Sequence, residues 1–369
     1  MEESQLKAIV AQFAVEGTVE RIKPLGEGLI NDTYKVLTAE PSEPDYVLQR
    51  VNHNVFPDVD MVMRNIQAVT SHIRKKLEEK GETDIERKVL RFIPLKDDAT
   101  KLYTVIDGQY WRLMVFIPNA ITKQAVNPES SHAAGLAFGQ FQAMLADIPV
   151  HLGETIKDFH NMEFRLEQLH EAIERDAMGR VHEPQVQQML RVIEKHAYEM
   201  CKAERMGREG ILPKRVCHCD TKVNNMMFDY DNNVLCVIDL DTVMPNYIFS
   251  DYGDFLRTAA NYVAEDDPEM KSVGFRMDIF RAFTEGYLES ARSFLLPVEI
   301  ENLPYAAALF PFMQCVRFLW DYLSGDKYWK SQYPQHNYIR ANNQLHLFQS
   351  VIDHTPEMET FIRECLAKA

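Results

Sequence analysis

The hydrophobic period of this chain changes near residues 116–122 and then reverts for one short stretch. Before FIPNAIT, short strand candidates lie at 18–24, 32–38 and 45–51. Two more, 101–106 and 109–116, flank Asp107-Gly108, the strongest short hairpin signal. After it the stripes are helical: Phe138, Phe141 and Leu145 share one face, and Phe275, Ile279, Phe283 and Tyr287 share another. The exception is VCHCDTKVNNMMFDYDNNVLCVIDLD, residues 216–241, where strand-like MMFD and VLCVID flank the turn YDNN. A small strand-rich part followed by a larger helical part with one hairpin leaves few architectures. The expected fold is α+β and bilobal: a small lobe with an antiparallel sheet over 1–117 and a mostly helical lobe over 118–369.

Within the first lobe a helix is expected over 4–15. A second, over 58–80, places Val59, Val62, Met63, Ile66, Val69 and Ile73 at helical spacing. With 46% hydrophobic and 26% charged residues in 369, the chain has the composition of an ordinary folded protein. A net charge of −15 opposes binding to nucleic acid or an anionic membrane surface, because either needs a clustered basic face. The acidic, amphipathic start MEESQLKAIVAQFAVEG lacks the features of a secretory signal. The apolar stretch 305–320 is interrupted by Pro311, Gln314 and Arg317, so it reads as a buried helix rather than a membrane span. Six scattered cysteines suit free thiols in a reducing cytoplasm. The expected form is a cytoplasmic monomer, with an oligomer left open.

Cys217, His218 and Cys219 first suggest zinc. Neighbours on an extended chain point to opposite faces, however, and no second Cys-x-x-Cys pair exists. The spacing His218-x-Asp220-x-Lys222-x-x-Asn225, with Asp239 at the end of the next apolar run, points elsewhere. Phosphoryl transfer needs a carboxylate to orient the attacking hydroxyl and accept its proton, a cation against the phosphate, and oxygen ligands for Mg²⁺. The same His-x-Asp-x-x-x-x-Asn arrangement marks protein kinases, so a protein-kinase-like fold is expected. In that mapping Asp220 is the base, Lys222 a γ-phosphate contact, and Asn225 and Asp239 the metal ligands. His218 supports the loop. Asp241 either assists the metal or caps a helix beginning near Asp251.

A nucleotide is then expected in the first lobe. In PLGEGLINDTYKV, residues 24–36, Gly26 and Gly28 let the backbone approach phosphates. The strand YVLQRVN, 46–52, is where a basic residue would face the phosphates. It offers Gln49 or Arg50 and no lysine, and the choice stays open.

The segments GEGLINDTY, YVLQRVN, FPDVDMVMRNI, HCDTKVNNMMFD, VIDLDTVMPNYIFSDYGDFLR and VRFLWDYLSGDKYW with YPQHNYIR carry a wider likeness. Through them the chain resembles the bacterial N-acetylhexosamine 1-kinases of the aminoglycoside phosphotransferase and choline kinase superfamily. The resemblance implies transfer of phosphate from ATP, with Mg²⁺, to the anomeric hydroxyl of N-acetylglucosamine or N-acetylgalactosamine. It places Asp220 at the O1 hydroxyl and Arg317 and Tyr328 at positions that contact the sugar. Without it, Arg317 reads as a helix residue with a snorkelling head, and Tyr328 as core. Close relatives often carry histidine where this chain has Leu29, a position beside the sugar, so the preferred sugar stays open. Two rival readings remain. One is a kinase of choline, homoserine or an aminoglycoside, for which Tyr247, Phe249, Tyr252 and the acidic charge could form a cage. The other is a catalytically weak pseudokinase, supported by the missing lysine.

Overall fold

Alternation over the first lobe resolves into strands because each run has one face to bury. In the computed structural model, which describes residues 1–26, 31–123 and 125–367, the chain begins with α1 (Glu3–Val10), β1 (Val19–Pro24), β2 (Asp32–Thr38) and β3 (Tyr46–Val51). The helix α2 (Val59–Glu79) and the hairpin β4 (Tyr103–Ile106) and β5 (Gln109–Val115) follow. The five strands form one antiparallel sheet in the order β1-β2-β3-β5-β4. Gly28 and Leu29 lie outside the described residues.

Asp107 and Gly108 take φ of 50° and 71°, the left-handed pair that a tight hairpin turn requires. The helix expected to reach residue 15 stops at Val10. There the backbone turns to pair with a distant segment, Ala14 N–H donating to the Pro94 carbonyl at 2.9 Å and Lys96 N–H to the Gln12 carbonyl at 2.9 Å. Long-range pairing has overridden the local helical pattern. At the start of α2, the Asp58 carboxylate accepts from Met61 N–H at 2.8 Å, satisfying one of the free donors of the first turn. The helix buries Val62, Met63, Ile66, Val69 and Ile73. In β3 and β5, Leu48, Trp111 and Leu113 join the core that α1 covers. Gln49 and Arg112, being the alternate residues, face the other side.

The remaining elements are α3 (Pro128–Leu145), α4 (Met162–Arg175), α5 (Pro184–Met200), α6 (Lys202–Arg208), β6 (Arg215–Cys217), β7 (Met226–Phe228) and β8 (Val234–Val237). They continue with β9 (Met244–Asn246), α7 (Phe249–Ala259), α8 (Met277–Ala291), α9 (Pro297–Glu301), α10 (Leu303–Ser324) and α11 (His336–Ala367). The chain divides into two compact units. The first comprises Met1–Ile121, Asp147–Lys157 and Met227–Met244; the second comprises Thr122–Ala146, Asp158–Met226 and Pro245–Ala369.

In the first unit β7 and β8 pair around a turn that Asp229 closes by accepting from the backbone N–H groups of Asp231 and Asn233. In the second, α3 and α8 cross at glycines. A Cβ on Gly135 would lie 2.1 Å from the Phe283 carbonyl oxygen, and one on Gly286 would lie 2.1 Å from that of His132. The crossing buries Phe138, Phe141, Phe283 and Tyr287. The apolar helix α10 is buried along most of its length. Among the described residues, no helix is long and apolar enough to cross a membrane.

Candidate active site

The loop after β6 belongs to the second unit and carries Asp220, Lys222 and Asn225. Its path is set by Asp251, a buried residue in the first turn of α7. The Asp251 carboxylate accepts from the backbone N–H of Cys219 at 2.8 Å, from that of His218 at 3.0 Å and from the Gln142 amide at 2.8 Å. Its backbone carbonyl accepts from the Thr221 hydroxyl at 2.7 Å. Tyr287 completes the chain by donating to Gln142 Oε1 at 2.6 Å. Burial raises the Asp251 carboxyl above its usual range, while His218 and the two backbone donors oppose this.

Cys219, immediately before Asp220, has φ 63°, a left-handed conformation uncommon for a residue with a side chain. Both cysteine thiols are pushed up by burial. Cys217 donates to the carbonyls of Asn246 and Tyr247 at 3.5 and 3.3 Å, and Cys219 accepts from the Asn246 amide at 3.7 Å. These are packing groups in their contacts. The ring of His218 lies edge-on to Phe138 and Phe141, with centroids 6.2 and 6.1 Å away. Its Nδ1 accepts from Asp220 N–H at 3.2 Å.

Around Asp220 the loop converges. Lys222 Nζ lies 2.8 Å from one carboxylate oxygen, and the Asn225 amide donates to the other at 3.0 Å and to the Asp220 carbonyl at 2.8 Å. Burial would raise the Asp220 carboxyl, but the Lys222 ammonium and the hydrogen bonds outweigh it and hold it below the ordinary value. The Lys222 ammonium is raised in turn: burial acts against it, and the charges of Asp220 and Asp254 prevail. With its nitrogen committed to Asp220, Asn225 has its amide oxygen left to offer a hard cation. Among the described residues no three His, Cys, Asp or Glu side chains gather as a metal-holding cluster.

The sugar-side candidates lie in the same unit. Arg317 on α10 is half-buried, its guanidinium 5.3 Å from the ring centre of Phe159 and 5.1 Å from that of Trp329, and it donates to Gln314 at 3.1 Å. Burial lowers its pKa. Beside it Arg165 is pushed down to about 9, by burial first and then by the Arg317 charge. The charges of Asp254 and Arg257 act on both Lys222 and Arg317, so the loop and Arg317 share one charged neighbourhood. Tyr328 is not core: it is 54% exposed, with its ring against Trp320 and Trp329. Its loop is held by fully buried Asp321, which accepts from the backbone N–H of Lys327, Tyr328 and Trp329 at 2.9, 2.9 and 3.1 Å. The cage residues Phe249 and Tyr252 are buried in the core, Tyr252 bonded to Thr284 at 2.6 Å.

The first unit holds the remaining candidates. Gly26 takes φ 70°. Asp239 takes a left-handed φ 59°, ψ 57° just before a short turn at Leu240–Thr242. Arg50 is spent in an ion pair with Asp32 at the sheet surface. On the opposite face Gln49 accepts from Nε and Nη2 of Arg112 at 3.0 and 2.8 Å. Arg112, from β5, also donates to Asp241. Asp241 caps no helix, since α7 starts at Phe249 after Ile248. Both its oxygens are occupied, one by Arg112 and the other by the Asn31 amide at 2.8 Å. Arg112, Asp251 and Asp321 were not singled out by sequence reasoning. Asp251 reads as an ordinary residue of a helix start, and nothing within a short window joins residue 112 to residue 241.

A phosphotransferase enzyme family matches residues 21–291 of the chain. Solved structures share its fold at low identity. An amicoumacin kinase in complex with AMP-PNP and Ca²⁺ is 11% identical with a TM-score of 0.59, covering 100% of this chain and 94% of its own. An aminoglycoside phosphotransferase from Alicyclobacillus acidocaldarius is 13% identical with a TM-score of 0.58, covering 95% and 96%. A choline kinase from Cryptosporidium parvum is 12% identical with a TM-score of 0.57, covering 96% and 96%. The fold shared with them is the α+β, two-lobed, kinase-like one.

Proposed function

This chain belongs to the phosphotransferase enzyme family, and from that membership we propose that it is an ATP- and Mg²⁺-dependent kinase of the anomeric hydroxyl of N-acetylhexosamines. The reading rests chiefly on one observation: Asp220 is half-buried, ion-paired to Lys222 and bonded to Asn225 within a loop whose backbone is pinned by Asp251. In this reading residues 1–117 bind the nucleotide, with Gly26 and Gly28 as phosphate contacts and Gln49, rather than the ion-paired Arg50, on the nucleotide side of β3. Residues 118–369 carry catalysis and the sugar.

The sugar O1–H donates its hydrogen bond to Asp220. The O1–Pγ bond forms as the bond from Pγ to the bridging oxygen of ADP breaks, and the proton passes to Asp220. A carboxyl held below its ordinary range is a weak base at neutral pH, so its main service is to orient the hydroxyl, as suits a loose transition state. Lys222 lies against the transferred phosphoryl group. Asn225 and Asp239 are the proposed metal ligands, and Mg²⁺ when bound neutralises phosphate charge.

The acceptor side supports a neutral sugar over a cationic acceptor. Choline kinase and aminoglycoside phosphotransferase share the fold, but here two neighbouring guanidiniums, Arg165 and Arg317, would repel an amine. A stacked guanidinium and an exposed phenol suit hydroxyls and the N-acetyl oxygen. Leu29 is proposed to bias the choice between the two sugars.

The test is a panel of acceptors with ATP and Mg²⁺, read by ADP release, with the position of phosphate on the product read by NMR. N-acetylhexosamines are expected to give the highest kcat/KM and a 1-phosphate. A higher value for choline or an aminoglycoside overturns the substrate. Asp220→Asn is expected to keep the fold and lose roughly 10²–10⁴-fold in kcat, and near-wild-type turnover overturns the mechanism.

A further inference from the structure

The face of β3 that turns away from the covered core carries Gln49 where a kinase would place a cation, and the register shows what replaces it. Gln49 stands opposite Arg112 in the β3–β5 ladder, so the two side chains emerge on the same face. Arg112 is only 2% exposed, and its guanidinium meets Gln49, Asp241 and the ring of Phe92 at 5.6 Å. This cation has moved one strand over, and it points at the segment that follows Asp239.

That segment is gripped at two points. Asp241 is bonded by Arg112 and by Asn31, whose own Oδ1 accepts from Asn52 N–H at 2.9 Å. Two residues on, the Val243 carbonyl accepts from Asn65 of α2 at 3.0 Å, and Asn65 is anchored to Gly153 by bonds of 2.8 and 3.1 Å. Asp239 lies just before the gripped stretch in a left-handed conformation that a free chain seldom adopts. Asn31 directly precedes β2, so Asp241 ties the start of that strand to the same guanidinium.

We propose that Arg112 is a positioning residue: through Asp241 it holds the Asp239 turn in its metal-binding conformation and fixes it to the start of β2. Arg112 supplies from β5 the cation that β3 lacks, and acts on the metal ligand rather than on the substrate. Asp241 belongs to this latch and is not itself a ligand. The proposal rests on the reading of Asp239 as a metal ligand.

The test compares binding of AMP-PNP with Mg²⁺ and with EDTA, by calorimetry, in wild type, Arg112→Met, Arg112→Lys and Asp241→Asn, with thermal melting of each. Loss of an outer-shell partner costs roughly 10–100-fold in metal affinity. Arg112→Met and Asp241→Asn are therefore expected to lose at least about tenfold of the Mg²⁺-dependent gain in nucleotide affinity, with EDTA values nearly unchanged. Arg112→Lys, which keeps the charge, is expected to recover part of it. A merely structural residue would lower the melting temperature and leave the Mg²⁺-dependent gain intact, and that result in folded Arg112→Met or Asp241→Asn overturns the latch. Asp241→Asn preserves shape, so it decides the matter if Arg112→Met does not fold. A wild type that binds no nucleotide overturns the functional reading and the latch together; a wild type that binds, beside variants that bind equally well, overturns the latch alone.

Discussion

Two buried aspartates ten residues apart in the chain do similar work by different means. Asp241, in the first unit, takes a guanidinium and an amide. Asp251, in the second, accepts from two consecutive backbone N–H groups and a glutamine amide. A carboxylate that pairs with a guanidinium holds a side chain, and that partner can come from any neighbouring strand. One that gathers consecutive backbone N–H groups holds the backbone itself and thereby dictates the path of the loop. Asp321 repeats the second device for the loop bearing Tyr328.

The contrast breaks most visibly at Asp251. Asp251→Ala leaves the N–H groups of His218 and Cys219 buried without an acceptor, at about 1–3 kcal/mol each. The expected loss of unfolding free energy is about 2–6 kcal/mol by urea titration, with activity abolished. A loss under about 1 kcal/mol would mean that the loop does not depend on this carboxylate.

Asp321→Ala applies the same deletion to a more exposed loop, where water can replace part of what is lost, so the expected cost is nearer about 1–2 kcal/mol. The kinetic signature should be selective: the KM for the acceptor rises severalfold while that for ATP stays put. Equal changes in both would show that Asp321 supports the unit as a whole and not the acceptor loop.

The smallest effect sharpens the role of charge. Lys222 helps hold the Asp220 carboxyl low, and the ionised form is the active one, so activity persists as pH falls until the lowered folded pKa is reached, while the stability the group contributes is full above the ordinary carboxyl pKa and is lost between that and the lowered one. In Lys222→Met burial is left to act against a weaker opposition, and the acid limb of the kcat/KM profile should move to higher pH. A limb that stays in place would assign the depression to His218 and the Asn225 hydrogen bond.

Much of the fold was legible because it is written in short windows. The Asp107-Gly108 turn, the α2 stripe and the β7–β8 hairpin depend on residues within a few positions of one another. The stripes of α3 and α8 were legible too, but the glycines that let them meet so closely were not, since a glycine in a helix shows no partner by itself. Tyr328 was misread as core when its residue type was taken alone, because aromatic character does not say whether a short loop turns a ring inward or outward.

The sequence by itself determined the spacing of Asp220, Lys222 and Asn225 along one loop, and with it the type of chemistry, because those side chains lie within one local bend. Only the tertiary structure decided what holds that loop and what stands in for the absent lysine. Asp251 meets His218 and Cys219 across more than thirty residues, and Arg112 meets Asp241 across 129. Forty arginines and lysines could in principle have answered Asp241. The one that does was selected by strand order and register, which place Arg112 opposite Gln49, and neither is visible until the sheet is formed.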